Sequence, residues 1–284
     1  MDKIDITFRD ALLEHYPKRG KILQFFEKAN KCSWEWENFS KINLNRFKDY
    51  LLKKVSPNSA KQYIQIFKAV VNRYIDNFDM PTNWETMLQT KNDASQQIYL
   101  TENDILRIIN VNPRNDAMRY VQNSFVVGCL TGSRHSDYVT FTTDDIRDGY
   151  LVYVSKKTHI ESKVPLSKTV VRILKENERN DIQERVISDD YFNDLVRELC
   201  KMAGINESMK LYRRGKYEKG EKWQFSSSHT ARRSFATNLY LRGADLYQIS
   251  KMMGHTSVKQ TERYICCGLK DISPEVKGFF NSFK

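Results

Sequence analysis

Apolar residues recur at three- and four-residue intervals along almost the whole of this 284-residue chain, and strand-like alternation occurs at one place only. The chain is therefore expected to be mainly α with a small antiparallel β-hairpin, because an apolar face repeating about every 3.6 residues buries as a helix and one repeating every 2 buries as a strand. Ile22, Leu23, Phe25, Phe26 and Ala29 share one helical face, and Leu44, Phe47, Tyr50 and Leu51 share another. Ser56-Pro57-Asn58-Ser59 interrupts the pattern and offers a cap. After it, Tyr63, Ile66, Phe67, Val70, Val71, Tyr74 and Ile75 line a third face. Residues 1–90 thus read as a small helical domain. The polar, aperiodic run from Gln89 to Gln97 places a linker at 91–98, and residues 99–284 read as a second, α+β domain. There Thr101 caps a helix carrying Ile105, Leu106, Ile108 and Ile109, and a second helix covers 115–130. The alternating segment Tyr150–Val154 pairs with Val164–Leu166 across a turn within Lys156–Lys163, helices return from Lys168, and a last short helix covers 272–280.

Lys and Arg outnumber Asp and Glu by 46 to 35, a formal charge of +11 that favours a polyanionic partner, with nucleic acid the obvious class. A hydrophobic content of 40%, with 12% aromatic, is enough to build proper cores. No apolar run approaches the roughly 18–20 residues that span a bilayer, and the first residues lack a basic-then-apolar signal, so the default compartment is the cytosol. The five cysteines are odd in number and scattered, with no Cys-x-x-Cys pair, which suggests neither a disulfide framework nor a zinc site.

Three short segments carry groups suited to phosphate chemistry. Thr131-Gly132-Ser133-Arg134 follows an apolar helix end. The glycine permits a tight turn and presents Arg134, either to fork onto a phosphate or to make a structural salt bridge. Ser228-His229-Thr230-Ala231-Arg232 opens a helix, and its i, i+3 spacing puts His229 and Arg232 on one face at a natural anion site. Ordinary packing or capping explains that histidine equally well. Met253-Gly254-His255-Thr256 joins two short helices, and Tyr264 follows His255 by nine residues. No carboxylate cluster with metal-ligand spacing lies near these segments, which argues against a metal-dependent nuclease or transposase.

Taken together and in this order, these segments resemble the phage integrase, or tyrosine recombinase, family over nearly the whole chain. The resemblance implies a helical core-binding domain followed by a catalytic domain. It implies that Arg134 and Arg232 clamp the scissile phosphate of double-stranded DNA at specific recombination sites, with His229 nearby and His255 touching it. Tyr264 is then the nucleophile of a covalent 3'-phosphotyrosine intermediate. The family's hairpin lysine falls on Lys157 of Ser155-Lys156-Lys157-Thr158, with the adjacent Lys156 as the alternative. Asp137 stands where the family usually has Glu and is expected to support the site. The resemblance also implies a homotetramer on DNA, with the last helix packed on a neighbouring protomer; the alternative is that it folds back on its own domain.

The chemistry suits these groups. Two arginines and two histidines can neutralise the charge of an in-line phosphoryl transfer, so no metal or nucleotide cofactor is expected. Lys157 is suited to protonate the leaving 5'-hydroxyl. The outward Lys61, Gln65 and Lys68, and Arg213, Arg214 and Lys216 in the basic run Lys210–Lys222, are candidates for contact with DNA backbone or are simply solvated. The length points to a recombinase without the extra N-terminal arm-binding domain of many integrases. Type IB topoisomerase-like strand relaxation and a catalytically silent DNA-binding relative are the rival readings. The residues do not distinguish integration, excision, inversion and resolution.

Overall fold

The computed structural model describes residues 6–90, 95–179 and 187–267. The chain divides into two compact units, Met1–Ser95 with Tyr212–Glu218 and Gln96–Leu211 with Lys219–Lys284. Half of the expected linker, 91–94, and the expected last helix, 272–280, lie outside the described residues. No helix among the described residues is long and apolar enough to cross a membrane.

The first unit contains α1 (Phe8–His15), α2 (Lys21–Asn30), α3 (Lys41–Lys54), α4 (Pro57–Tyr74) and the short α5 (Trp84–Met87). Thr7, Ser40 and Ser56 cap α1, α3 and α4 by accepting a backbone N–H three residues on, which satisfies donors that have no partner within the helix. The apolar faces read from spacing converge on an aromatic core. Phe8 stacks on Trp34 at 4.8 Å, and Phe26, Phe39, Phe47 and Phe67 pack around the pair. Each such buried side chain contributes roughly 1.5–3 kcal/mol relative to exposure. The indole N–H of Trp36 donates to the Ile6 carbonyl at 2.8 Å, so its polar edge is satisfied.

The second unit is built around α7 (Asp116–Thr131), which follows α6 (Glu102–Ile109) and precedes the one-turn α8 (His135–Tyr138). Thr101 and Asp104 form a reciprocal capping box at the start of α6. Strands β1 (Ile146–Arg147), β2 (Tyr150–Val154) and β3 (Glu161–Pro165) form an antiparallel sheet in that order, with Tyr150 opposite Pro165 and Val154 opposite Glu161. Then come α9 (Lys168–Arg179), α10 (Asp189–Met202), β4 (Ser208–Arg213) and β5 (Lys216–Glu221), of which Tyr212–Glu218 belongs to the first unit, and α11 (Ser228–Leu241), α12 (Leu246–Met252) and α13 (Val258–Glu262). One core gathers α6, α7, α9 and α10. A smaller one puts Leu151, Tyr153 and Val164 of the sheet against Phe235, Ala236, Ile249 and Met253.

Strand structure is not confined to one hairpin. Lys210–Lys222, read as a basic segment without structure of its own, is mostly the β4–β5 hairpin, turned by Arg214 and Gly215 at φ 54° and 80°. Two successive positive φ angles give the tight turn whose twist matches paired strands. Lys222 is not a surface cation: it is buried, and its Nζ donates to Asp104 Oδ2 at 2.8 Å.

Candidate active site

Within the second unit a cleft of about 1100 Å³ is lined by Arg134, Lys156, Lys157, His229, His255 and Tyr264 among others. Its floor depends on two glycines. Gly132 ends α7 at φ 67°, where a Cβ would stand 2.2 Å from the Phe235 ring, and Gly254 ends α12 at φ 61°, where a Cβ would meet Ser162 Oγ at 2.6 Å. Only glycine permits both the left-handed backbone and the close approach. Arg134 and His255 follow these two turns by one or two residues, so the backbone reversals aim them into the cleft.

Arg134 stands just before α8 and its Nη1 donates to Ser155 Oγ at 2.7 Å. Ser155 Oγ donates in turn to Asp137 Oδ2 at 3.1 Å, and Asp137 Oδ1 accepts the Lys156 backbone N–H at 3.0 Å. The buried Asp137 carboxylate therefore fixes the entrance of the β2–β3 turn and, through Ser155, the first arginine. Lys157 and Lys156 are both exposed on that turn. Lys157, not Lys156, is among the cations that act on His229.

Arg232 lies on the first turns of α11 and is 1% exposed. It donates through Nη1 to the Gly132 carbonyl, and through Nη2 to the Met253 carbonyl and to His255 Nε2, both at 2.6 Å. Its Nε–H is buried without a partner among the described residues. Burial lowers its pKa from the ordinary value, opposed by the neighbouring Tyr264 phenol. His229, one helical turn earlier, opens onto the cleft. Partial loss of water, followed by Arg233, Arg232, Lys157 and Arg134, brings its pKa to about 4. Loss of water, Arg232 and Arg134 bring His255 to about 3.

Tyr264 lies just beyond α13. The Arg232 guanidinium is 5.2 Å from its ring centre, the His255 ring 5.2 Å and the His229 ring 6.3 Å. Its backbone is tied to α11, because Thr237 Oγ1 donates to the Tyr264 carbonyl at 3.2 Å and accepts the Cys266 N–H at 3.0 Å. Four segments far apart in sequence thus bring arginines, lysines, imidazoles and a phenol together at one cleft. Such a set can hold an anion, stabilise added charge on it and present an oxygen nucleophile.

None of Lys61, Gln65, Lys68, Arg213, Arg214 and Lys216 lines this cleft. Gln65, Arg214 and Lys216 are exposed, while Lys68 donates to the Glu85 carbonyl at 2.7 Å. Sequence reading missed Ser155, Thr237, Thr261 and Asn193, whose side-chain oxygen accepts the Ser228 N–H at 2.7 Å where α11 begins. It also missed His135, set into the cleft wall against Phe192 at 4.3 Å and Asp189 at 3.3 Å. Only His135 left a signal, as a titratable group beside Arg134.

Residues 98–267 match the phage integrase family. The chain is 22% identical over 216 residues to an integrase of Escherichia phage 186, covering 75% of this chain and 57% of that one. It is 30% identical over 142 residues to the tyrosine recombinase XerD of Staphylococcus haemolyticus, covering 47% and 45%. It thus spans about half the length of these two relatives. A solved lambda integrase tetramer bound to a Holliday junction has the same fold, with a TM-score of 0.64 at 16% identity over 92% of this chain and 77% of that one. The family match takes in more than half of the chain and every element around the cleft, and this protein belongs to the phage integrase family, the tyrosine recombinases.

Proposed function

We propose that the chain is a site-specific DNA strand transferase that cleaves and rejoins strands through a phosphotyrosine at Tyr264. The observation that carries this reading is the placement of the Tyr264 ring against a buried, charged Arg232 in a cleft that also holds Arg134, Lys157 and His229. Arg134 and Arg232 bind the non-bridging oxygens of a phosphodiester, and the Arg232 Nε–H is a donor left for that purpose. Tyr264 Oη attacks phosphorus, its proton passing to the neutral His229. The bond to the 5'-oxygen breaks as that oxygen takes a proton from Lys157. The arriving phosphate anion opposes the cations that depress His229 and so makes it a better base. The phosphotyrosine retains the energy of the broken ester, so the 5'-hydroxyl of a partner strand reverses the step without ATP.

This chemistry calls on arginine, lysine and histidine for charge and proton transfer and routes no step through a metal ion. The shared fold of a lambda integrase tetramer on a Holliday junction supports assembly of four chains on DNA. The exposed Gln65, Arg214 and Lys216 are the proposed backbone contacts outside the cleft.

The test is to incubate the protein, in EDTA, with duplexes from its own genomic neighbourhood, denature, and look for protein-linked DNA. A covalent adduct is expected that disappears with Tyr264→Phe and maps to discrete sites. Tight binding without an adduct would make the chain a silent DNA-binding relative. Adducts spread without site preference, with relaxation of supercoils, would make it a topoisomerase-like enzyme.

A further inference from the structure

Arg134 and Asp137 carry opposite charges close together in the chain, yet a serine hydroxyl stands between them. An arginine has only donors, so Ser155 Oγ accepts from Arg134 Nη1 at 2.7 Å and gives its own proton to Asp137 Oδ2 at 3.1 Å. Asp137 Oδ1 is occupied by the Lys156 N–H at 3.0 Å. The serine and the carboxylate are shut away from water, at 0% and 2% exposure. The hydroxyl is also fixed in position. The Ser155 N–H donates to the Ile160 carbonyl at 3.0 Å and the Ser155 carbonyl accepts the His159 N–H at 2.8 Å, which pins its backbone across the base of the lysine turn. The other contact of the Arg134 side chain, with Thr158 Oγ1 at 3.5 Å, falls on the same Nη1. Among the described residues the guanidinium is thus held by one nitrogen only.

An arginine and a carboxylate free to meet close a pair of parallel N–H···O bonds, and out of water their attraction is strong. That fork is the one a phosphodiester needs. We infer that Ser155 is a positioning residue: a neutral spacer that keeps the Asp137 carboxylate from claiming Arg134, and so leaves the guanidinium fork for the scissile phosphate. The consequence for cleavage rests on the strand-transfer reading; the separation of the two charges does not. Without the hydroxyl, Asp137 Oδ2 becomes a buried acceptor with no donor, and the chain relieves this by turning Arg134 onto it. Alanine at position 155 therefore does more than delete a hydrogen bond, because it converts a charge that meets the substrate into half of an internal ion pair. Asparagine at position 137 removes the attraction, while its side-chain oxygen still accepts the Lys156 N–H.

The experiment compares full-length wild type, Ser155→Ala, Ser155→Thr and the double variant Ser155→Ala/Asp137→Asn, as crystals grown without DNA and in the adduct assay at saturating DNA. Crystals of Ser155→Ala should show Arg134 paired directly with Asp137. Its adduct should form roughly tenfold to a hundredfold more slowly than that of wild type, the loss typical of removing a partner that orients a functional group. DNA affinity should change far less, because the arginine matters most in the transition state. Ser155→Thr keeps the hydroxyl and should keep the rate. The double variant should recover most of the loss, whereas damage to the turn itself would leave it no faster than Ser155→Ala. Arg134 unmoved in Ser155→Ala crystals, an undiminished rate in that variant, or a double variant no faster than the single one would each overturn the inference. If wild type forms no adduct at all, the strand-transfer reading fails, while the crystals still decide whether Ser155 separates the two charges.

Discussion

His229, exposed on the cleft, and the buried His255 stand among cations, with pKa values near 4 and near 3. In an unfolded chain each takes up its proton near pH 6.5. Between that pH and the folded values the unfolded state binds more protons, so stability is complete above about 6.5 and falls as the pH drops. Denaturant midpoints should therefore be lower at pH 5 than at pH 7.5, and His255→Gln should remove up to one proton from that dependence. An unchanged dependence in the variant would mean that His255 is not held neutral. At this scale the sequence shows what is chemically unusual: Arg134, His229, Arg232, His255 and Tyr264 stand out by type and spacing. Ser155 and Thr261 do not, because hydroxyl residues are common. Their importance lies in hydrogen bonds whose partners are fixed only once the chain is folded.

The turns that deliver these side chains are as demanding as the side chains themselves. Gly132 combines positive φ with a Phe235 ring where a Cβ would stand, and its carbonyl also accepts from Arg232. Gly132→Ala should cost at least about 1–2 kcal/mol from the left-handed backbone alone. At roughly 2–4 °C per kcal/mol, thermal unfolding should fall by several degrees. Gly149→Ala, which also has positive φ but nothing within 4 Å of the added Cβ, isolates the backbone term. A Gly132→Ala midpoint no lower than that of Gly149→Ala would show that the ring yields without cost. Helices were legible because their buried faces carry Leu, Ile and Phe at helical spacing. The β4–β5 hairpin was not, because β4 and β5 bury little but Leu211 and their alternation is among charged side chains. Its one usable sign was the Arg214-Gly215 pair between Tyr212 and Tyr217.

Across the molecule, the division at Ser95 and Gln96 separates an aromatic helical unit from one that contains every residue of the cleft. The sequence reading expected a linker at 91–98 from a break in periodicity. The membership of Tyr212–Glu218 in the first unit was not legible, since it belongs to a hairpin formed more than a hundred residues later in the chain. The net charge of +11 suggested a polyanionic partner but pointed to no site, because the cleft takes its cations from four separate segments.

The attachment of the Tyr264 backbone to α11 through Thr237 has a genetic consequence. On the proposed mechanism the tyrosine is fastened to the helix that bears its own Arg232 and His229, so each copy of the chain would cut by itself. Mixing Tyr264→Phe protein with Arg134→Ala protein should therefore yield no more adduct than the two do separately. On that mechanism two broken alleles should not complement each other, and a single defective copy should silence only the strand it holds. Recovery of cleavage in the mixture would show that the tyrosine is exchanged between neighbours.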